Sequence, residues 1–411
     1  MAGLGVPISN ATARVRMVDT TGVMLVKSAP FIQPVQKGHE TLSLYVAAFL
    51  IDHPPSGRKI MFDLGVRKDY WTLPASLQKR LGTVIPGLRI DKDTTEIIQE
   101  QGIALSDISS VVWSHYHWDH TGSMELFPSS TELVVGPGFK GSPSLLPGYP
   151  ANPDSPIDAR ALAGRTLTEI GFAKTSLEIA GFRAHDFFGD GSFYLLDTPG
   201  HCLGHMCGLV RTTGGTESTF VLLGGDICHF PGVTRPSPQL PLPDVIPKGV
   251  LRGNGAYFPS PCPCSLFTDH HPALASGGDA DRNGLDPKTT PFYAISNDPS
   301  SAYTDPAVAQ QSADKLIRLD ASPSVLVCLA HDETMLHSLP TLNENPDDDL
   351  NRWQERDLKS KIHWGWLNDL ARDGRPAWHA AVEGFWRDGQ LWTEGKTTLL
   401  KNGEAASMIC L

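Results

Sequence analysis

The chain has no apolar run long enough to cross a bilayer. Its longest, near Leu44 to Ile51, falls far short of the roughly 18 residues that a spanning helix needs. It also lacks a Lys/Arg cluster, and a formal net charge of -11 leaves it little with which to neutralise phosphates. Neither a membrane nor a nucleic acid is an expected partner. Met1 to Pro7 shows no basic region followed by an apolar core, so no signal peptide is expected and a cytoplasmic location follows. The 7 cysteines, an odd number in 411 residues, suggest no disulfide framework. Cys262-Pro263-Cys264 has no second pair at zinc-finger spacing, and Cys202, Cys207, Cys228 and Cys328 sit in or beside apolar segments where small side chains pack well. No internal repeat or low-complexity tract is present.

What the chain does have is the run Ser114-His115-Tyr116-His117-Trp118-Asp119-His120, directly after the strand-like Val111-Val112-Trp113. Three imidazoles and a carboxylate packed this closely are costly to desolvate unless something positive sits between them. Alternation at a strand end sends His115 and His117 to one side. Asp119 and His120 follow as the chain turns into a helix beginning near Thr121, and they point to a neighbouring position. One loop therefore feeds two metal positions. Catalytic ions need roughly three protein ligands each, and three further strand ends offer candidates. Leu195 to Asp197 leads through Thr198-Pro199-Gly200 to His201. Phe220 to Leu223 leads through Gly224-Gly225 to Asp226. Val325 to Ala330 ends at His331.

These elements resemble, in order, those of the metallo-β-lactamase fold superfamily: His115-x-His117-x-Asp119-His120, Thr198-Pro199-Gly200-His201, Gly224-Gly225-Asp226 and His331, with Phe62-Asp63-Leu64-Gly65 resembling the family's early strand and turn. The resemblance covers about residues 40 to 335 and implies a four-layer αββα sandwich of the α/β class. It implies that His115, His117 and His201 hold one metal, that Asp119, His120 and His331 hold a second, and that Asp226 bridges them. Asp63 would support the site without ligating. Two divalent ions, zinc by ligand type, are the implied cofactors.

Departures within the superfamily narrow the activity. Members that hydrolyse β-lactam antibiotics usually lack the bridging carboxylate, and flavodiiron members carry an acidic residue where His117 stands. The chain looks most like the N-acyl homoserine lactonase group, in which a tyrosine three residues beyond the bridging aspartate polarises the substrate carbonyl. That position is His229 here. The expectation is a dinuclear hydrolase that opens a cyclic ester or a related cyclic amide or carbamate, with water activated between the ions and Asp119 and His229 as catalytic residues. A thioester hydrolase of the same fold is the alternative. A mononuclear iron oxidoreductase would need only His115, His117 and His201, and a silent binding protein would have lost ligands. The expected partner is a small-molecule carbonyl substrate, with a homo-oligomer possible.

With 40% hydrophobic and 19% charged residues, the chain reads as an ordinary globular protein. Residues 1–340 are expected to form the metallo-β-lactamase-like domain and 341–411 a helical, Trp-rich extension packed on it. Leu42 to Ile51 and Lys59 to Asp63 predict a hairpin about Pro54 to Gly57, Asp93 to Gln101 a helix stopped by Gly102, and Thr131 to Gly136 a strand. Residues 136–157 read as a long surface loop. The Pro/Gly-rich insertion 231–305 borders the site, and its Tyr257, Phe258, Phe267 and Tyr293 either pack on the domain or cover an apolar substrate. Asp305-Pro306 opens a helix over 307–319. His205, His185 and His270-His271 are expected to be packed or solvated. From Asn351 a helix carrying Trp353, Leu358, Ile362 and Leu367 precedes a tail, with Trp364, Trp366, Trp378, Trp386 and Trp392 spread across the two.

Overall fold

Two β-sheets pack face to face because their strands alternate side chains between an inner and an outer face. The computed structural model describes residues 3–252, 257–275, 285–371 and 380–393. A nine-stranded sheet is centred on the long antiparallel strands Arg14–Lys27 and Thr41–His53, followed by Arg58–Phe62, Ile108–Val112 and Glu132–Val135. A six-stranded sheet contains Phe193–Asp197, Met206–Arg211, Phe220–Leu223 and Val325–Cys328. Met17, Phe49, Ile60, Phe62 and Val112 of the first meet Phe193, Leu195, Val210, Val221, Leu223 and Leu326 of the second in one buried cluster.

The outer faces are covered by helices. Helix Thr94–Glu100, capped by Asp93 and Glu96 in a reciprocal box, buries Ile97 and Ile98 with Leu50, Met61, Val111 and Leu133. Helix Pro306–Ala321 buries Ala309, Ala313, Leu316 and Leu319 with Leu209 and Leu222. Asp305 caps it, accepting from the Val308 N–H at 3.0 Å. The expected four-layer αββα order of the α/β class is thus observed. No helix among the described residues is long and apolar enough to cross a membrane.

The hairpin about Pro54 to Gly57 is present, with Thr41–His53 pairing antiparallel to Arg58–Phe62. Two helix boundaries differ from expectation: the C-terminal helix begins at Leu358 and not at Asn351, with Trp353 in the turn before it, and the helix that follows His117 starts earlier than expected. The latter spans Trp118–Thr121 and does not begin near Thr121, because Gly122 ends it in left-handed backbone (φ 48°), where a Cβ would lie 2.5 Å from Leu64 Cβ. Residues 136–157 hold no helix or strand, yet Phe139, Leu145 and Ile157 are buried.

In the insertion 231–305, Phe258, Phe267 and Tyr293 are buried in the largest apolar cluster, and Tyr257 packs against it. These aromatics pack the domain. The C-terminal segment has the helix Leu358–His363 and also the strand Gly384–Arg387, which joins the first sheet parallel to Gly87–Ile90. Leu350, Trp353, Leu358 and Ile362 lie in the cluster between the sheets. Trp378 lies outside the described residues.

Candidate metal centre

The strands deliver their C-terminal ends to one edge of the sandwich. Phe220–Leu223 and Val325–Cys328 pair in parallel, and Phe193–Asp197 is related to them through the antiparallel Met206–Arg211. His201, Asp226 and His331 follow these ends. Arg58–Phe62 and Ile108–Val112 are likewise parallel and bring Asp63 beside the loop 114–120. Asp63 adopts left-handed backbone (φ 61°), and its N–H donates to Val112 O at 2.9 Å. Its carboxylate accepts from the Ser114 N–H at 2.7 Å and from His120 Nδ1 at 2.9 Å. That clasp leaves His120 Nε2 facing inward.

The seven candidate ligands converge into two poles. At the first, His201 Nε2 lies 2.9 Å from His117 Nδ1 and 3.2 Å from His115 Nε2. Asp226 Oδ2 completes it, 3.3 Å from His201 Nε2 and 3.5 Å from His115 Nε2. At the second, Asp226 Oδ1 lies 3.1 Å from both His120 Nε2 and His331 Nε2, while Asp119 Oδ2 is 3.8 Å and 3.6 Å from the same nitrogens. His331 is oriented by its Nδ1–H, which donates to Tyr45 O at 2.7 Å. Each carboxylate oxygen of Asp226 thus serves one pole. Although strand Ile108–Val112 ends before them, His115 and His117 still meet at one pole as alternation predicted.

The electrostatics differ between the poles. Burial, and then the neighbouring imidazoles, hold His115 well below its ordinary value; burial likewise lowers His117, and brings His201 to about 3. Three neutral rings therefore turn lone pairs toward one another. At the second pole burial opposes protonation, but the Asp226 and neighbouring carboxylates together hold His120 well above, and His331 above, the usual imidazole range. Asp226 is held well below the carboxylate range, since the surrounding imidazoles outweigh its desolvation.

These residues fit divalent cations. His120 Nε2, His331 Nε2 and Asp226 Oδ1 are fully buried yet make no hydrogen bond, and nitrogen and oxygen donors of this kind suit zinc-like ions. Ligand-capable atoms of Asp119, His120, Asp226 and His331 lie within 4.8 Å of one another, as do those of His115, His117, His201 and Cys202. Burial pushes the Cys202 thiol well up, so it remains protonated beside this set.

His229 also reaches the cluster, with Nε2 3.1 Å from Asp226 Oδ2. Two supporting residues were not singled out from the sequence. His205, expected to be packed or solvated, accepts the Asp226 N–H on Nε2 at 3.0 Å, while its Nδ1 meets Thr198 Oγ1 at 2.8 Å. Gly225 makes that approach possible, because a Cβ there would lie 2.9 Å from His205 Nε2. Tyr303 lies behind His229, 2.7 Å from its Nδ1. The Pro-Gly-His turn just before it is a local signal for the first; nothing in the pattern around Tyr303 distinguishes it. His185 lies in strand Phe182–Asp186, and His271 Nε2 meets Thr290 O at 3.1 Å, so both belong to ordinary packing.

Two cavities flank the centre. One of about 190 Å³ is lined by Met24, Val26, Phe31, Leu44, Val84 and Ile85, and opens onto His117, Asp119, His201, Asp226 and His229. The other, about 420 Å³, is lined by His229 and His331 together with Tyr45, Arg252, Glu333 and Asp369.

Residues 43–214 match the model of the metallo-beta-lactamase superfamily. Gamma-lactamase FDB1 of Fusarium pseudograminearum (strain CS3096) is 38% identical over 371 residues, covering 89% of this chain and 84% of the relative. Gamma-lactamase MBL2 of Gibberella moniliformis (strain M3125 / FGSC 7600) is 42% identical over 259 residues, 63% of this chain and 100% of the relative. The N-acyl homoserine lactonase AttM of Rhizobium radiobacter is 30% identical over 172 residues, 40% of this chain and 59% of the relative. With its ordered histidine and aspartate clusters at the shared edge of two sheets, the chain belongs to the metallo-β-lactamase superfamily and is a metal-dependent hydrolase.

Proposed function

We propose that the protein is a dinuclear hydrolase that opens a small cyclic amide, with cyclic carbamates and esters as neighbouring substrates. The observation that carries this reading is the division of Asp226, one oxygen toward each three-residue pole. His115, His117 and His201 would hold one ion, Asp119, His120 and His331 the other, and Asp226 both. The relatives named gamma-lactamases support the amide, and the shorter match to a lactonase supports the ester. Zinc is the proposed metal on the chemistry of the donors.

When bound, the ions supply Lewis acidity and lower the pKa of water toward neutrality. The chain does the rest. Asp63 and the Tyr45 carbonyl hold His120 and His331 in the tautomer that presents Nε2. The apolar wall of the 190 Å³ cavity excludes water and takes the body of a small ring. Water adds its oxygen to the ring carbonyl, and the ring C–N bond breaks. Asp119, at the mouth of this cavity, carries the proton from the water to the departing nitrogen, so that the product is an amino acid.

Metal analysis joined to a pH-stat assay on γ-lactams, cyclic carbamates, lactones, β-lactams and thioesters tests the proposal. About two equivalents of zinc-like metal with chelator-sensitive ring opening is the expected result. One equivalent of iron with oxygen consumption would overturn it, and thioester cleavage without ring opening would move the activity to the other carbonyl class.

A further inference from the structure

His229 has two possible roles at the cluster. Its Nε2 lies with His201 and Asp226 in a group whose ligand-capable atoms could together hold a metal, and the same atom lies at hydrogen-bonding distance, 3.1 Å, from Asp226 Oδ2. The choice depends on which ring nitrogen carries the hydrogen, and Tyr303 decides that.

The Tyr303 hydroxyl is fully buried and accepts the backbone N–H of His229 at 3.3 Å, while its oxygen sits 2.7 Å from His229 Nδ1. Among the described residues, His229 alone is hydrogen-bonded to this hydroxyl. If Nδ1 were the donor, the phenolic hydrogen would be left in the interior without an acceptor, at a cost of about 1–3 kcal/mol. The phenol must therefore donate to Nδ1, and a neutral ring then carries its hydrogen on Nε2.

The ring has little freedom to turn away. Phe31 lies 4.5 Å from it, and the His331 ring is nearly parallel at 5.4 Å with a 9° interplanar angle. Tyr303 is itself held by the segment that follows, where the Thr304 and Asp305 N–H groups donate to His201 O and Gly200 O at 2.8 Å and 2.9 Å. The hydrogen on Nε2 is then directed at Asp226 Oδ2, 3.1 Å away.

We infer that Tyr303 is a positioning residue that locks His229 with its hydrogen on Nε2, making His229 a hydrogen-bond donor to Asp226 Oδ2 and not a metal ligand. This rests on the dinuclear reading only for the role of Asp226; the tautomer stands on geometry alone. The insertion 231–305 thus contributes to the centre through Tyr303, near its end, and not through the aromatics singled out earlier in it.

The test uses the full-length, metal-loaded protein labelled with 15N-histidine. The His229 signals, identified by their loss in His229→Phe, should show a protonated Nε2 and a bare Nδ1. His229→Phe should keep both metal equivalents and lower kcat about 10- to 100-fold, the effect of removing a hydrogen-bond partner of a proposed ligand. Tyr303→Phe should lower kcat roughly 10-fold, as for other outer partners of a functional histidine. In the His229→Phe background it should have no further effect, a coupling that a merely structural tyrosine does not show. A protonated Nδ1, loss of one metal equivalent in His229→Phe, or additive losses in the double variant would each overturn the inference. If Tyr303→Phe fails to fold, the wild-type nitrogen spectrum alone decides the tautomer. If wild-type protein opens no ring, the proposed function fails while that spectrum still judges Tyr303.

Discussion

The buried pair Arg235–Asp320 closes its own electrostatics, and the buried cluster around Asp226 does not. Arg235 donates from Nε and Nη2 to the two oxygens of Asp320, both at 2.8 Å, and from Nη1 to His363 O at 3.2 Å. The side chains of this pair are 3% and 5% exposed. Burial alone would raise the Asp320 carboxyl, and the guanidinium more than reverses it, holding the group below the carboxylate range. Around Asp226 the burial is equal, but among the described residues neither Asp119 nor Asp226 forms an ion pair with Lys or Arg. A chain able to bury a guanidinium against one carboxylate has left imidazoles and carboxylates facing each other at another. The first arrangement is structural; the second requires a cation from outside.

The contrast is broken most strongly at Asp226. Asp226→Ala should lower turnover by about 1000-fold or more, because both poles lose a donor, with the loss of metal read by elemental analysis. His117→Ala, which strips one pole, should also remove most activity while leaving a folded chain by circular dichroism. Retained turnover with metal bound in either variant would contradict the dinuclear reading. Asp320→Asn should do the reverse. It leaves Arg235 buried without its partner and should cost about 3–5 kcal/mol of stability, measured by denaturant unfolding of metal-stripped protein, with metal content unchanged after reloading.

A smaller effect is expected at Asp63, whose carboxylate bonds His120 Nδ1 but offers no donor to either pole. Asp63→Asn should weaken metal binding about 10- to 100-fold, read by competition with a chromophoric chelator. Equal affinity would mean that His120 is oriented by packing alone. The smallest effect sharpens the other side of the contrast. Because the folded pKa of Asp320 is depressed, its contribution is fully present above the unfolded value of about 3.9 and is lost as pH falls below it. The stability gap between wild type and Asp320→Asn should therefore be constant from neutral pH to about pH 5 and narrow below about pH 4. A gap that closes near neutrality would assign the pair no electrostatic role.

Much of the centre was legible because ligands cluster in sequence where one loop feeds two ions. His115, His117, Asp119 and His120 are neighbours along the chain, and His201, Asp226 and His331 each follow an apolar strand that is recognisable without its partners. The helix at Trp118–Thr121 was misplaced because its boundary is set by contact between Gly122 and Leu64, residues far apart in sequence. His205 and Tyr303 act across the fold, on a backbone N–H and a ring nitrogen, so residue type alone did not mark them. The strand Gly384–Arg387 was hidden for a similar reason, since its pairing with Gly87–Ile90 joins segments almost three hundred residues apart.

By itself the amino-acid sequence marked the seven candidate donors, because local clustering of ligands and apolar strands are properties of short segments, and its resemblance to a known superfamily implied the α/β sandwich. Tertiary structure alone decided how the oxygens of Asp226 divide, which nitrogen of His229 bears its hydrogen, and which aromatic of the insertion reaches the centre. Those outcomes depend on hydrogen bonds a few ångströms long between distant residues, and only the packed chain brings their partners together.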